Sequence, residues 1–138
     1  MSQEAAAVVP PPLRIELGRR EIAGEDAAGI LLITVDDDGK PRVATLSAQE
    51  IRALDESRLR FELHRSSTSR RNARERPAAL WCVLDGAAYA LRGTCRAIAA
   101  VPARPDYDAF EMVVTSVLRD FEPSAPMISG PKYRRVEQ

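Results

Sequence analysis

With 138 residues, 45% of them apolar, the chain can bury one hydrophobic core but is too short for two domains. Its 20 basic and 20 acidic side chains give zero formal charge, which argues against a protein that binds nucleic acid through a general positive field. No apolar run reaches the roughly 18 residues of a membrane span, so we predict a soluble, cytoplasmic protein with no nucleic-acid or membrane partner.

The first residues, "MSQEAAAVVPPP", do not have the pattern of a signal peptide. Glu4 stands where such a peptide needs positive charge, and three prolines end the short apolar run. We predict a disordered or extended tail over residues 1 to 12 and a single domain over residues 13 to 138.

A strand pair is predicted on either side of the "DDDGKP" turn. Asp-Gly between two runs rich in β-branched residues is a strong hairpin signal, and it predicts strands over residues 29 to 35 and 41 to 47. The following "SAQE" matches a capping box, with Ser47 as N-cap and Glu50 at the third helical position. It predicts a short helix or turn.

A half-buried strand and an arginine-rich segment come next. In "SRLRFELH", the apolar residues Leu59, Phe61 and Leu63 alternate with polar ones, as in a strand with one buried face. The segment "RSSTSRRNARERP" predicts a helix that begins near Thr68 or Ser69 and ends before Pro77.

Two further strands, "AALWCVLD" and "AAYALRGTCRAIAA", are predicted around an Asp-Gly turn. From residue 106 to 121, apolar side chains recur at helical spacing and predict one long amphipathic helix near the C-terminus. A final strand is expected to include Met127, Ile128 and the segment around Tyr133. Five or six short strands joined mostly by hairpins predict a small antiparallel barrel, which forms a dimer to protect its edges.

The segment "RSSTSRRNARERP" also contains the strongest binding signal. A helix N-terminus with free N-H groups and neighbouring hydroxyls can bind a phosphate. Arg70 and Arg71 lie in the first turn, where the helix dipole disfavours cations unless an anion is bound. The alternative is a capped helix with a solvated basic face, and spacing alone does not separate the two.

The sequence offers little for metal or acid-base chemistry. Cys82 and Cys95 lack CxxC spacing and sit in apolar stretches, which is typical of reduced core thiols. His64 is the only histidine, so a site with several histidine ligands is excluded. We predict no metal ligand and no catalytic side chain.

The order of these motifs resembles the pyridoxamine 5'-phosphate oxidase-like family of FMN-binding split β-barrels. The matching pieces are "ILLITVDDDGKPRVATLS", "LRFELHRSSTSRRNARERPAALWCV" and "YALRGTCRAI", which together cover roughly residues 25 to 100. The resemblance implies a mainly β fold, a six-stranded antiparallel split β-barrel of Greek-key type with a few helices.

The resemblance also implies a homodimer with FMN bound at the subunit interface. The FMN phosphate would be surrounded by a segment after the third strand, and the isoalloxazine ring would lie along the second strand and near the end of the third. The implied residues are, for the phosphate, Ser67, Thr68, Ser69, Arg70, Arg71 and Asn72, and for the ring, Val43, Thr45, Ser47, Leu63 and His64.

Two functions follow from the resemblance. The first is an FMN-dependent oxidoreductase acting on an unidentified small molecule. The second is a non-catalytic split-barrel module that carries or senses FMN, a deazaflavin or another phosphorylated ligand. Ser69 stands where many relatives carry lysine, which favours the second, whereas the paired arginines Arg70 and Arg71 favour the first. The ending "GPKYRRVEQ" differs from the end that grips pyridoxal phosphate in true pyridoxamine phosphate oxidases, so vitamin B6 synthesis is not predicted.

Overall fold

A computed structural model describes residues 1–17, 27–47, 50–98 and 102–133. Within these ranges the chain forms nine strands and two helices, so the prediction of a mainly β protein is confirmed. The strands are β1 (Ser2–Ala5), β2 (Ala27–Val35), β3 (Pro41–Ser47), β4 (Ile51–Ala53), β5 (Arg58–His64), β6 (Ala78–Leu84), β7 (Ala87–Ala97), β8 (Tyr107–Asp120) and β9 (Lys132–Tyr133). The helices are α1 (Pro11–Leu17) and α2 (Thr68–Glu75).

The strands form one curled antiparallel sheet. Its neighbours run in the order β3-β2-β6-β7-β8-β5-β4, while β1 pairs with β8 and β9 pairs with β2. The hairpins predicted at "DDDGKP" and at Asp85-Gly86 both form, and Gly39 and Gly86 adopt the positive φ that such turns require. The structure has more strands than the six expected.

The core lies inside the curl of this sheet. Leu59, Phe61 and Leu63 of β5 are between 0% and 4% exposed, as their alternation predicted. Phe61 stacks on Phe110 of β8, with ring centroids 5.7 Å apart. Apolar burial thus fixes the inner face of β5, and its polar residues are left on the outer face.

The long C-terminal helix predicted over residues 106 to 121 is wrong, because this segment is strand β8. Its apolar spacing is compatible with either period, but "MVVTSV" is rich in β-branched residues, which fit a pleated surface better than a helix. Pairing decides the outcome: β8 hydrogen-bonds to β7, to β5 and to β1.

Of the short helix or turn predicted at "SAQE", the turn agrees with the N-H of Glu50 donating to the carbonyl of Ser47 at 2.9 Å, and residues 48 and 49 lie outside the described residues. The local contact is present, since the backbone N-H of Ser47 donates to Oε1 of Glu50 at 3.2 Å. The chain then enters β4, where Ile51 lies opposite Phe61 of β5. Sheet pairing and burial of Ile51 thus begin directly after the turn.

The two ends of the chain both add to the sheet. Residues 2 to 5, within the tail expected to be disordered or extended, form β1, and Val9 is buried at 1% exposure. Helix α1 crosses the expected domain boundary at residue 12. At the other end β9 includes Tyr133 as predicted, but Met127 and Ile128 lie outside any strand, and Ile128 is 99% exposed.

Both cysteines are free thiols, and burial raises the pKa of each to about 12. They remain protonated at neutral pH and are therefore poor nucleophiles. No helix within the described ranges is long and apolar enough to cross a membrane.

Candidate functional site

A cavity of about 500 Å³ lies at the N-terminal end of α2. We call it the arginine cavity, because four of its side chains are guanidinium groups. It is lined by Arg65, Ser66, Ser67, Thr68, Arg70, Arg71, Arg74 and Glu75. The segment singled out from the sequence therefore folds around one open space, and the lining side chains carry four positive charges and one negative.

The start of α2 has the geometry of a capped helix. Ser67 is the N-cap with extended backbone angles, and its Oγ accepts a hydrogen bond from the N-H of Arg70 at 3.1 Å. Thr68 and Ser69 are the first helical residues, so their N-H groups have no carbonyl one turn earlier within the helix. The positive end of the helix dipole therefore points towards the arginine cavity.

Two of the cavity arginines share one carboxylate. Asp108 of β8 accepts from Nε of Arg65 at 3.0 Å and from Nε of Arg70, and its side chain is 15% exposed. Burial pushes the pKa of Asp108 upwards, but hydrogen bonds and charges from Arg70 and Arg65 outweigh it and hold this pKa below its usual value. One carboxylate balances only one of the two cations.

The other two cavity arginines, Arg71 and Arg74, are both exposed. Arg71 pairs with Asp37 of the β2–β3 turn at 3.1 Å, and Asp37 is shared with Arg76 at 2.7 Å. Arg74 lies one turn after Arg70 and has no acidic partner among the residues that the structure describes. It is therefore the most available cation for a bound anion.

Asn72 holds α2 against the sheet and does not line the arginine cavity. It is fully buried, and its Nδ2 donates to Thr34 Oγ1 at 3.2 Å and to Asp36 Oδ1 at 2.7 Å. Arg76 donates to Asn72 Oδ1 and to the carbonyl of Val35. Ser69 is also buried and is not among the lining residues.

A second cavity, of about 420 Å³, is lined by Ser47, Glu50, Glu62, Arg104 and Tyr107. We call it the polar cavity. Glu62 is 7% exposed, and it accepts from Arg60 at 3.1 Å and from Arg104 at 2.7 Å. The guanidinium carbon of Arg104 stands 3.6 Å from the centroid of the Tyr107 ring.

Glu50 completes the polar cavity from the turn after β3. Its Oε1 accepts from both the N-H and the hydroxyl of Ser47, at 3.2 and 3.1 Å. Its Oε2 has no hydrogen-bond partner within the described part of the chain. The carboxylate therefore keeps one acceptor available.

His64 lies between the two cavities. Its Nδ1 is 2.7 Å from Ser66 Oγ, on the arginine-cavity side, and its ring meets Tyr107 edge to face with centroids 5.3 Å apart, on the polar-cavity side. Pairing of β5 with β8 sets His64 opposite Tyr107. The two cavities thus follow one another along the polar face of β5 and the turn after it.

The remaining predicted ring-side residues have different environments. Val43 is 59% exposed and Thr45 is also exposed on β3, the strand at one end of the sheet. Leu63 is 4% exposed and belongs to the core.

Several lining residues were not among the predicted site residues. Arg65, Ser66 and Arg74 lie within the singled-out segment, and the four-residue spacing of Arg74 from Arg70 is the signal that puts both on one helix face. No comparable pattern in the sequence indicated the polar cavity. Glu50, Glu62, Arg104 and Tyr107 meet only because β5 pairs with β8 and a turn brings Arg104 back over Tyr107.

No family model matches the sequence, and no curated protein matches it. Solved structures do match. One is a protein from Lactobacillus delbrueckii provisionally named a pyridoxamine 5'-phosphate oxidase, with 17% identity, a TM-score of 0.61, and coverage of 83% of this chain and 98% of that chain.

Two further structures show the range of proteins with this fold. An F420 reductase matches at 16% identity and a TM-score of 0.56, over 68% of this chain and 91% of that chain. HutZ, the heme storage protein from Vibrio cholerae, matches at 11% identity and a TM-score of 0.55, over 79% of this chain and 92% of that chain. The resemblance to the pyridoxamine 5'-phosphate oxidase-like split barrels is thereby confirmed at the level of the fold.

Proposed function

We propose that this split-barrel protein binds FMN and acts as an FMN-dependent oxidoreductase on a small molecule. The observation that carries the proposal is the arginine cavity. A capped helix N-terminus, three hydroxyl side chains and an excess of guanidinium groups together suit a phosphate dianion. The same segment is the one that surrounds the FMN phosphate in the family that the sequence resembles.

The described residues fit the phosphate end of FMN. Ser67 and Thr68 would hold it with the free N-H groups at the helix start, and Arg70, Arg71 and Arg74 would supply positive charge. The ring would lie along β3, near Val43, Thr45 and Ser47. When bound, the flavin supplies hydride or electron transfer, while the protein binds it, orients it and shapes the substrate cleft.

We further propose that the protein is a homodimer with the ligand site at the subunit interface. The large exposed area of Val43 on the end strand β3 supports a covering partner, because exposed apolar side chains and free strand edges both favour association. Light scattering should then give a molar mass near twice the 15.2 kDa of the chain. A monomer at all concentrations would contradict the dimer.

The second candidate is a non-catalytic module that carries or senses a phosphorylated ligand, with a deazaflavin in place of FMN as one possibility. The fold shared with an F420 reductase supports it, as does Ser69, which is buried where many relatives carry lysine. Heme, the ligand in the name of HutZ, has less support because none of the residues that line the arginine cavity is a histidine.

The first test is an absorbance spectrum after the protein is mixed with excess FMN and the unbound flavin is removed. We expect stoichiometric bands at about 370 and 450 nm, which are characteristic of a bound flavin. Bleaching of these bands by NADPH would favour the oxidoreductase over the non-catalytic module. Complete loss of flavin during removal would contradict FMN binding.

The residues of the arginine cavity are tested by substitution. Arg74→Ala should weaken FMN binding about 10-fold or more, because a charge-assisted hydrogen bond contributes about 1.5 to 3 kcal/mol. The double variant Arg70→Ala with Arg71→Ala should lose a few kcal/mol of FMN binding free energy. Fluorescence titration measures the affinity of each variant. Arg14→Ala, at an exposed helical arginine of α1, is the matched control and should leave affinity unchanged.

A further inference from the structure

We propose that the polar cavity binds the pyrimidine edge of the flavin ring, with Arg104 donating to the N1–C2=O side and Glu50 accepting from N3-H. This rests on the proposed FMN function and assigns two residues that the family resemblance did not indicate. It predicts that Arg104 raises the reduction potential of the bound flavin and that Glu50 selects for an unsubstituted N3.

The position of the two cavities supports an elongated ligand with an anionic end and a polar end. Glu62 lines the polar cavity and Ser66 lines the arginine cavity, four residues further along the chain. At the rise of an extended strand, this separation is at most about 13 Å. Ser47, a ring-side residue in the FMN proposal, lines the polar cavity.

Arg104 supplies the one positive charge among the residues that line the polar cavity, beside the carboxylates of Glu50 and Glu62, and Arg60 next to Glu62 brings these four groups to zero net charge. Glu62 is the one carboxylate shared by the guanidinium groups of Arg60 and Arg104. Only NH1 of Arg104 donates to an acceptor among the described residues, so its Nε and NH2 remain available. Contact with Glu62 and with the ring of Tyr107 fixes the orientation of the guanidinium.

Such a cation favours the reduced flavin over the oxidised one. On reduction, negative charge accumulates on the N1–C2=O side of the ring, and a nearby guanidinium stabilises that charge. Because the guanidinium stabilises the reduced flavin more than the oxidised flavin, it raises the reduction potential of the bound flavin.

Glu50 presents the complementary group. The N-H and the hydroxyl of Ser47 both donate to Oε1 of Glu50, whereas Oε2 has no hydrogen-bond partner within the described ranges. Because a carboxylate accepts hydrogen bonds but cannot donate them, it suits the single N-H of the pyrimidine edge. A deazaflavin has the same edge and would be bound in the same way.

The test of Arg104 compares Arg104→Gln with Arg119→Gln. Arg119 is a close control, because its guanidinium carbon also lies over an aromatic ring, 4.3 Å from the centroid of Phe121. Arg119 and Phe121 line neither the arginine cavity nor the polar cavity. We expect Arg104→Gln to reduce the preference for reduced over oxidised FMN at least 10-fold, equal to about 30 mV for a two-electron couple. An unchanged potential in Arg104→Gln, or an equal shift in Arg119→Gln, would overturn the assignment.

The test of Glu50 uses FMN and its N3-methyl analogue. The unaltered protein should bind FMN at least 10-fold more tightly, and Glu50→Ala should abolish this discrimination. Glu122→Ala is the control, because Oε1 of Glu122 accepts from the N-H and hydroxyl of Ser124 just as Glu50 accepts from Ser47. Equal binding of the two flavins by the unaltered protein would overturn the role of Glu50.

Lumiflavin, which has the ring but no phosphate, separates this inference from the FMN proposal. Lumiflavin binding that Arg104→Gln weakens would support the ring site even if Arg74→Ala leaves FMN affinity unchanged. Lumiflavin binding that is insensitive to both Arg104→Gln and Glu50→Ala would overturn the ring site while leaving the phosphate site intact. Failure of the unaltered protein to bind lumiflavin at millimolar concentration would also count against it.

Discussion

At the scale of single residues, Asn72 connects the candidate site to the sheet. Its amide donates to two oxygen atoms on the strand and turn of the first hairpin, and its carbonyl accepts from Arg76. Full burial makes each of these bonds costly to lose, because the partners cannot all turn to water. Asn72 thus fixes where α2, and with it the arginine cavity, stands relative to β2.

Asn72→Ala is expected to destabilise the protein by about 2 kcal/mol or more. It removes the hydrogen bonds that the amide donates to the hydroxyl of Thr34 and to Oδ1 of Asp36. Urea unfolding followed by circular dichroism measures the loss. Arg74→Ala, an exposed substitution in the same helix, should change stability by less than about 0.5 kcal/mol. Similar losses in the two variants would contradict a structural role for Asn72.

At the scale of elements, strand β8 organises the sheet and depends on Gly93 of β7. The register between β7 and β8 shifts at Arg92/Gly93, which is a bulge that lets the long strand bend. A Cβ added at Gly93 would lie 2.1 Å from the carbonyl oxygen of Val113 and 2.9 Å from Cγ of Met112. Close approach of two backbones therefore requires glycine here.

Gly93→Ala should cost about 3 kcal/mol or more, or leave no cooperative unfolding transition in circular dichroism. Gly39→Ala is the comparison, because Gly39 has φ of +86° but open space around it. It should cost only about 1 kcal/mol, the penalty for a side chain in the left-handed region. Equal losses would contradict the close-packing role of Gly93, because its φ lies outside the left-handed region that Gly39 adopts.

At the scale of the whole molecule, many carboxylates are stabilised in their ionised form. The pKa of Asp55 is lowered to about 2, first by the backbone N-H of Ser57 and then by Arg58. A hydrogen bond from Arg42 chiefly lowers the pKa of Asp36, and one from Arg76 chiefly lowers that of Asp37. These bonds tie the β2–β3 turn to β3 and to the end of α2, and the turn before β5 to β5 itself.

Stability should therefore fall in acid. A carboxyl whose pKa is lower in the folded than in the unfolded protein contributes stability that is complete above its ordinary value of 3.8 and is lost as pH falls through the folded value. The urea midpoint should drop between about pH 4 and pH 2, and the drop should be smaller in Asp55→Asn. A midpoint that is constant over this range would contradict the expectation.

Local patterns were sufficient for much of the fold. Asp-Gly turns determine the two hairpins, since only a few residues adopt the required backbone angles. Alternation determined the buried face of β5, and hydroxyl residues before a helical run predicted the helix start near Thr68 or Ser69, where α2 begins. The same reasoning failed for residues 106 to 121, because apolar residues that fit a helical period also fit a strand.

What the sequence by itself determined is the segment that forms the arginine cavity, because a helix start and its neighbouring arginines are contiguous in the chain. Only the tertiary structure decided which arginines are neutralised. Asp108 reaches Arg65 and Arg70 from a distant strand, and Asp37 reaches Arg71 from a turn. The polar cavity likewise exists only in the folded sheet, since strand pairing joins residues as distant in sequence as Ser47 and Tyr107. Contacts between remote segments depend on register and burial, and neither is encoded in a short stretch of sequence.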